Sequence, residues 1–460
     1  MSYTIAGGVR MEEYKRTRRQ QIKRMSPAPR CVCIPMLQHA GTPSTPLVSP
    51  GDIVCRGQLI GEASPEDEHG GDCRVHASVS GRVTRILERD GAVCVEIEND
   101  FEDRLSPELK PFDKRLSDTS SDEIIEIIKN AGIAGLGGAA VPTHIKLRAA
   151  IGKTDTLIIN GTECEPFFTS NHRLMLESPA SVINGVKILL KTLSLRRATI
   201  AVADNKPDAV SKLEGLLVGS ALIKVKVCKT KYPQGAQRQL ISALTGREIA
   251  PDGLPIDARC LVFNVETCAA IFRAFAKGIP LIERVVTVDG DCVREPGNVL
   301  VPLGTSALDV LDACGGLKKP PSALILGGPM TGAAQCDLSA PIVKGTRAIL
   351  AFSRDFEGIG RYEQTPTCIH CGKCAEVCPA RLLPNYIADL YNAGMHDEIA
   401  DEFGADACIE CGACSYVCPG YYPVTQYVKM AKHRPIKNQL TENELTNNSA
   451  LPPTTTAAEE

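Results

Sequence analysis

Tryptophan is absent from the 460 residues, and aromatic side chains of all kinds make up 4%. An excess of one charge is missing too: 51 Lys and Arg stand against 54 Asp and Glu, a net of −3. Binding to nucleic acid phosphates needs a strongly basic face, so this balance argues against nucleic acid as the main partner. No apolar run reaches the roughly 18 residues that a membrane-spanning helix needs, so a membrane role must come through partners. Met1 to Arg30 carries no apolar stretch of the signal-peptide kind, and a reducing compartment is expected.

Cysteine, by contrast, is abundant, with 20 residues. In a reducing compartment, clustered cysteines mean metal or redox chemistry. With 43% hydrophobic and 23% charged residues the chain reads as soluble and globular. Its length suggests roughly two to four domains. The 39 Gly and 31 Pro predict frequent tight turns.

Two runs hold eight of the cysteines. Cys368, Cys371, Cys374 and Cys378-Pro379 are repeated as Cys408, Cys411, Cys414 and Cys418-Pro419. This is the C-x2-C-x2-C-x3-C-P spacing of two-cluster ferredoxins. Three thiolates at this spacing wrap one cubane face, and the proline sends the fourth cysteine to the other cluster. Cys368, Cys371, Cys374 and Cys418 are therefore assigned to one [4Fe–4S] centre, and Cys408, Cys411, Cys414 and Cys378 to the second. Zinc usually takes two C-x2-C pairs, a pattern that two complete four-cysteine runs do not suit. The other twelve cysteines read as small buried hydrophobes, with Cys31 and Cys33 a weak metal or redox candidate.

Along the chain, residues 1–29 form a basic N-terminal arm. Its seven cations between Arg10 and Arg24 suit a solvated helix or arm, or a docking surface for an acidic partner or anionic lipid. Residues 30–105 alternate apolar positions with glycine punctuation, as short strands do. They resemble the barrel-sandwich domains that carry biotin or lipoate. The tip Pro65–Asp72 has no lysine for a cofactor arm, so packing or docking is expected instead. Residues 118–282 alternate helical and strand patterns, which predicts an α/β domain. Ser120 and Glu123 form a candidate capping box before Ile124, Ile125, Ile127 and Ile128. Strands are predicted at 156–159 and 198–202, and helices at 181–193 and 236–244. Residues 283–350 read as a smaller β-rich domain and 361–432 as the helical cluster domain. The polar tail, 440–460, is expected to be disordered.

Gly135-Leu-Gly-Gly-Ala-Ala140 fits the dinucleotide fingerprint G-x-G-x-x-A, but it follows a predicted helix where that fingerprint follows a strand. With Lys146 beyond it, the loop suits either an anion cradle or a structural turn.

Gly132–Leu147 resembles the flavin loop of the NADH-binding flavoprotein subunit of respiratory complex I. It is closer still to the C subunit of the Rnf ion-translocating ferredoxin:NAD oxidoreductase. The likeness continues through Asn160–Pro166, His172–Met175, Lys231–Gly235, Leu244–Arg247, Asn264–Thr267, Gly327–Met330 and the twin cysteine runs, covering about residues 30–432. The resemblance implies FMN in the α/β domain, a β-grasp insert of the soluble-ligand-binding kind at 283–350, and NAD(H) as redox partner. Gly135, Gly137 and Gly138 would line the flavin, and Lys146 would approach its phosphate or polar edge. Asn160 and Glu163 would hydrogen-bond the flavin, Asn264 and Thr267 would meet it from the other side, and Glu165 would lie towards the nicotinamide. On the residues alone, Lys146 could face solvent, Glu163 and Glu165 could be turn residues, and Asn264 and Thr267 could cap a helix.

Four residues at three places depart from the family. Ala140-Val141 replaces its Gly-Phe, Thr162 its Asp, and Phe263 the first Asn of the run found in complex I relatives. The phenylalanine belongs to the nicotinamide face, so its loss bears on NADH more than on FMN. The expected function is that of a peripheral redox subunit at the cytoplasmic face of the bacterial cell membrane. It would pass electrons between NAD(H), FMN and the two clusters. Its partners would be membrane and peripheral subunits, including a ferredoxin-like one. A soluble NADH-dependent reductase of the corrinoid or proline-reductase type, and an electron wire without nicotinamide binding, are the alternatives.

Overall fold

The computed structural model describes residues 2–63, 73–89, 91–251, 253–357, 359, 366–395, 399 and 402–433. The lysine-free tip at 65–72 and the polar tail at 440–460 lie outside the described residues.

The central sheet is parallel, in the order Ile223–Cys228, Ala198–Ala203, Thr156–Gly161, Cys260–Asn264. Its strands are apolar on both faces, as parallel strands covered by helices must be: Leu157, Ile158 and Ile159 are all buried. The capping box at Ser120 and Glu123 is formed and starts the helix Ser121–Asn130, which buries Ile124, Ile125 and Ile128. Helices Pro179–Thr192 and Val265–Lys277 cross at Gly185, where an added Cβ would lie 1.9 Å from the Cys268 carbonyl oxygen. Only a residue without a side chain lets the two backbones approach this closely.

The described strands between residues 31 and 99 form the barrel sandwich. A four-stranded and a three-stranded sheet enclose Val32, Ile34, Val54, Ile60, Val83 and Ile97. Cys31 lies on this domain's edge strand, and burial pushes its thiol up to about 11, away from thiolate chemistry. In the β-grasp-like domain, Glu283–Asp289 pairs antiparallel with Gly297–Pro302, and the helix Ala307–Ala313 follows, capped by Ser306.

The basic segment is neither a free helix nor a free arm. It runs as a strap across the other domains. Tyr3 bridges Cys228 at the edge of the parallel sheet, Val9 bridges Tyr232, and Ile22–Arg24 adds a strand beside Gly297–Pro302. Arg16 reaches Asp289 and Gly290, and the Lys15 ammonium is buried and donates to the carbonyls of Glu163, Glu165 and Phe168 at 3.1, 2.9 and 2.6 Å. Those three acceptors are what draw the cation inside. Alternating composition carries no signal of such a distant partner.

A second buried cation joins the β-grasp-like domain to the parallel-sheet domain. Arg284 donates to Glu266 Oε2 at 2.8 Å, to the Leu136 carbonyl at 3.4 Å and to the Lys344 carbonyl. Glu266 Oε1 accepts from the Val285 amide at 3.0 Å.

Two outcomes follow from this packing. Gly185→Ala should destabilise the chain by about 1–3 kcal/mol in urea unfolding, because backbone must shift to admit the methyl group. Arg284→Met should cost about 3–5 kcal/mol by leaving Glu266 buried and unpaired, and adding Glu266→Gln should recover most of that loss.

Candidate functional site

Numbered along the chain, the parallel strands lie in the order third, second, first, fourth. The order reverses between the first and the fourth strands, and ligands of open α/β sheets bind outside the carboxyl ends at such a reversal. Asn160 and Asn264 are register partners at the carboxyl ends of those two strands. The reversal therefore brings together two asparagines about 100 residues apart in sequence.

The glycine loop lies over this crevice, between Ser121–Asn130 and the helix Thr143–Ala150. Gly135 N donates to the Val141 carbonyl at 2.9 Å and closes the loop. The buried Thr267 hydroxyl accepts from Leu136 N at 2.9 Å and pins the loop to the fourth strand's helix. A Cβ on Gly137 would lie 3.5 Å from Asn264 Cβ, while one on Gly138, at φ +123°, would meet nothing. The loop thus presents bare backbone above the two asparagines.

Asn264 Oδ1 accepts from Glu266 N at 2.8 Å and caps Val265–Lys277. Asn160 donates to the Gly235 carbonyl at 2.9 Å, and its Oδ1 accepts from Thr162 N and Oγ1 at 3.1 and 2.7 Å. Thr162, at the family's Asp position, is fully buried by these bonds. Lys146 donates to the Val262 carbonyl at 2.6 Å and lies 4.9 Å above the Phe263 ring. Burial lowers its ammonium to about 8. Lys146 is thus turned onto the fourth strand rather than out to solvent.

Glu163 and Glu165 are both 5% exposed, so neither is an exposed turn residue. Glu163 adopts φ +46° and accepts from Asn171 N at 2.7 Å through Oε1. Glu165 reaches across to the β-grasp-like domain, accepting from Met330 N at 3.2 Å and from Thr331 Oγ1 at 2.5 Å. Burial raises its carboxyl pKa. Val141 is exposed at the mouth of the glycine loop, and Ala140 beside it is buried.

Beside these loops the strap, Thr162–Pro166 and Lys229–Gln234 line a partly open cleft with about 20 Å³ of free volume, room for roughly one water. Glu163 Oε2 and both polar atoms of the Gln234 amide are buried along it with no protein partner. Such atoms need a polar ligand or water. Bare glycine backbone, amide side chains and unsatisfied polar atoms fit the polar edge of a bound flavin.

The cysteine runs fold as a repeat. Gly372 and Gly412 take φ +75° and +78° and start matching four-residue helices, Lys373–Glu376 and Ala413–Tyr416. Cys408, Cys411, Cys414 and Cys378 line one small cavity of about 20 Å³, the crossed set expected from the spacing. Thr367 N donates to the Gly420 carbonyl at 3.2 Å, tying the start of the first run to the end of the second, beside Cys368 and Cys418. Cys374 is buried and Cys371 exposed. Among the described residues no three His, Cys, Asp or Glu side chains converge on a single-ion site. Burial pushes the Cys411 and Cys414 thiols up to about 12 and 11. Iron offsets that cost by binding the thiolates, and an all-thiolate donor set fits a cluster.

Sequence reasoning missed Lys15, Glu266 and Tyr232. The Tyr232 hydroxyl donates to the Cys411 carbonyl at 2.5 Å, and Gly235, three residues on, donates from its amide to Cys164 Sγ at 3.3 Å. Glu266 was visible inside Asn264-Val-Glu-Thr267, but its partner Arg284 was not.

Four family models match the chain: an RnfC barrel sandwich hybrid domain at residues 3–102, a Nuo51 FMN-binding domain at 128–273, an SLBB domain at 285–334 and a 4Fe-4S dicluster domain at 361–419. Among curated proteins, the C subunit of the proton-translocating ferredoxin:NAD(+) oxidoreductase complex of Clostridium ljungdahlii is 38% identical over 409 residues, 88% of this chain and 88% of that protein. The C subunit of the Na(+)-translocating complex of Acetobacterium woodii is 39% identical over 402 residues, 86% of this chain and 89% of that protein. The C subunit of the ion-translocating oxidoreductase complex of Cronobacter sakazakii is 39% identical over 401 residues, 85% of this chain but 50% of that longer protein. With an FMN-binding domain and a 4Fe-4S dicluster domain in one polypeptide, the chain is an electron-transfer protein and belongs to the family of C subunits of ion-translocating ferredoxin:NAD(+) oxidoreductase complexes.

Proposed function

We propose that the chain passes electrons between NAD(H) and its two [4Fe–4S] clusters by way of FMN, as the peripheral redox subunit of an Rnf-type complex whose other subunits move Na+ or H+. The observation that carries this reading is the direct contact between the two cofactor regions, Tyr232 to Cys411. Among the described residues no helix is long and apolar enough to cross a membrane, so attachment falls to membrane and peripheral partner subunits, a ferredoxin-like one among them. The cytoplasmic face of the bacterial cell membrane is the side on which NAD(H) and reduced ferredoxin meet it.

Gly135, Gly137 and Gly138 would line the flavin with backbone. Asn160, Glu163, Asn264 and Thr267 would hold it from the two strand ends, and Lys146 supplies positive charge along the fourth strand. FMN, when bound, accepts two electrons as hydride and releases them singly, which a cluster alone cannot do. Glu165 fastens the loop of residues 328–331 beside the nicotinamide side. Buried Glu163 and Gln234 exclude bulk water from the flavin's edge.

An anaerobic NADH titration of the purified chain tests this reading. About eight iron atoms and one FMN, with flavin and cluster absorbance bleached together, are expected. Full cofactor content without any NADH response would overturn the nicotinamide role and leave an electron wire. Copurification with membranes separates a component of a membrane complex from a soluble reductase. Val141→Phe, which restores an aromatic face at the mouth of the loop, should lower KM for NADH about three- to tenfold with little change in kcat.

A further inference from the structure

The two cysteine-lined centres have different surroundings. Three separate elements outside the cluster domain converge on the one formed by Cys378, Cys408, Cys411 and Cys414. The strap is the first: Gly8 N donates to the Val377 carbonyl at 2.7 Å, and an added Cβ on Gly7 would lie 2.6 Å from the Cys378 carbonyl oxygen. The second is the turn ending at Gly235 with the helix Gln237–Thr245 that follows it, through the Tyr232 hydroxyl on Cys411 and Gln239 Nε2 on the Pro379 carbonyl at 3.4 Å. The third is the β-grasp-like domain, where a Cβ on Gly412 would lie 3.2 Å from the Met330 carbonyl oxygen. Val9, Tyr232, Cys164, Met330, Val377 and Cys411 pack into one apolar cluster at this joint.

Of the other set, Cys374 is buried and Cys368 and Cys418 are half-buried, but the loop around Cys371 turns to the outside. Cys371 is exposed, and its neighbour Ile369 is 63% exposed.

We propose that the centre held by Cys408, Cys411, Cys414 and Cys378 is the inner one, next to the flavin crevice, that the centre held by Cys368, Cys371, Cys374 and Cys418 is the outer one, and that Tyr232 is the positioning residue joining the inner centre to the flavin domain. The inference rests on the flavin and cluster reading above and adds an order to it. Tyr232 acts through the Cys411 backbone. It is 3% exposed and its ring is packed in the joint. Its hydroxyl partly neutralises the carbonyl dipole of a residue whose thiolate binds iron. Hydrogen bonds near a cluster raise its potential by stabilising the more negative reduced state.

The test uses the full chain with both clusters and FMN, their content measured before anything else. A preparation without clusters or flavin would count against the cofactor reading itself, a result separate from the order. In redox titrations followed by electron paramagnetic resonance, Tyr232→Phe should lower the midpoint potential of one centre and leave the other in place. The shifted centre should be the one whose signal changes in Cys411→Ser, and not the one that changes in Cys371→Ser. Equal shifts of both centres, no shift, or a shift of the Cys371 centre would overturn the proposal. A second measurement needs no variant: anaerobic iron chelation of the wild-type chain with alkylation and mass spectrometry over time. Cys368, Cys371, Cys374 and Cys418 should be labelled first. Labelling of Cys408, Cys411 and Cys414 before them would overturn the order, whatever the Tyr232 variant does.

Discussion

The turn from Glu163 to Phe168 needs a buried cation, and much of the architecture follows from meeting that need. Two of its residues, Glu163 and Phe167, hold left-handed backbone at φ +46° and +68°. Neither is glycine, so the turn costs free energy and persists only where its surroundings fix it. Its carbonyls point inward, where water cannot satisfy them. The Lys15 ammonium accepts that task, and its own desolvation is offset by the three bonds it makes. Once Lys15 is seated, the strap has one path. Tyr14 stacks on Phe167 at 4.9 Å, Thr17 meets Thr169 at 2.6 Å, and Arg16 binds the Asp289 carboxylate. The same turn offers Glu165 to the β-grasp-like domain and Cys164 to Gly235. One strained loop therefore fixes two domains and the strap relative to one another.

Local features were legible in the sequence because their physics is local. Ser120 and Glu123 lie within one helical turn, and the box forms as read. The apolar run at 157–159 is a strand buried on both faces. The crossed cysteine set follows from spacing and a proline, and Cys378 does line the cavity of Cys408, Cys411 and Cys414. What could not be read is pairing across long separations. Lys15 and Glu163 are 148 residues apart, and Arg284 finds Glu266 on another domain. A short basic stretch looks the same whether its lysine meets water or three carbonyls, so the segment read as a free arm is a packed strap.

Of Asn264 and Thr267, read as possible caps, Asn264 caps the helix while Thr267 lies inside it. Asn264 caps its helix through Oδ1 and also stands beside Asn160 at the strand reversal. Capping fixes the side chain's orientation, and a fixed amide is what a crevice needs for binding. The Thr267 hydroxyl accepts from Leu136 N, so it shapes the glycine loop from below. A motif of this kind does its work by positioning as much as by contact. Glu266, between them, extends the chain of support to Arg284 and from there to Leu136 again.

The joint between flavin crevice and inner cysteines is made largely of backbone. Gly7 and Gly8 both take positive φ, and both would drive a Cβ into neighbouring carbonyls. Gly412 comes close to the Met330 carbonyl in the same way, and the long side chains of Tyr232 and Gln239 that reach across the joint end on carbonyls too. Side chains change rotamer in picoseconds to nanoseconds, whereas packed backbone of this kind does not. Electron transfer falls off steeply with distance, so a separation set by backbone contact is steadier than one set by long side chains. Glycine in the strap serves that steadiness: it gives up side-chain packing so that backbone can bond the Val377 carbonyl and lie directly against those of Cys378 and Tyr232.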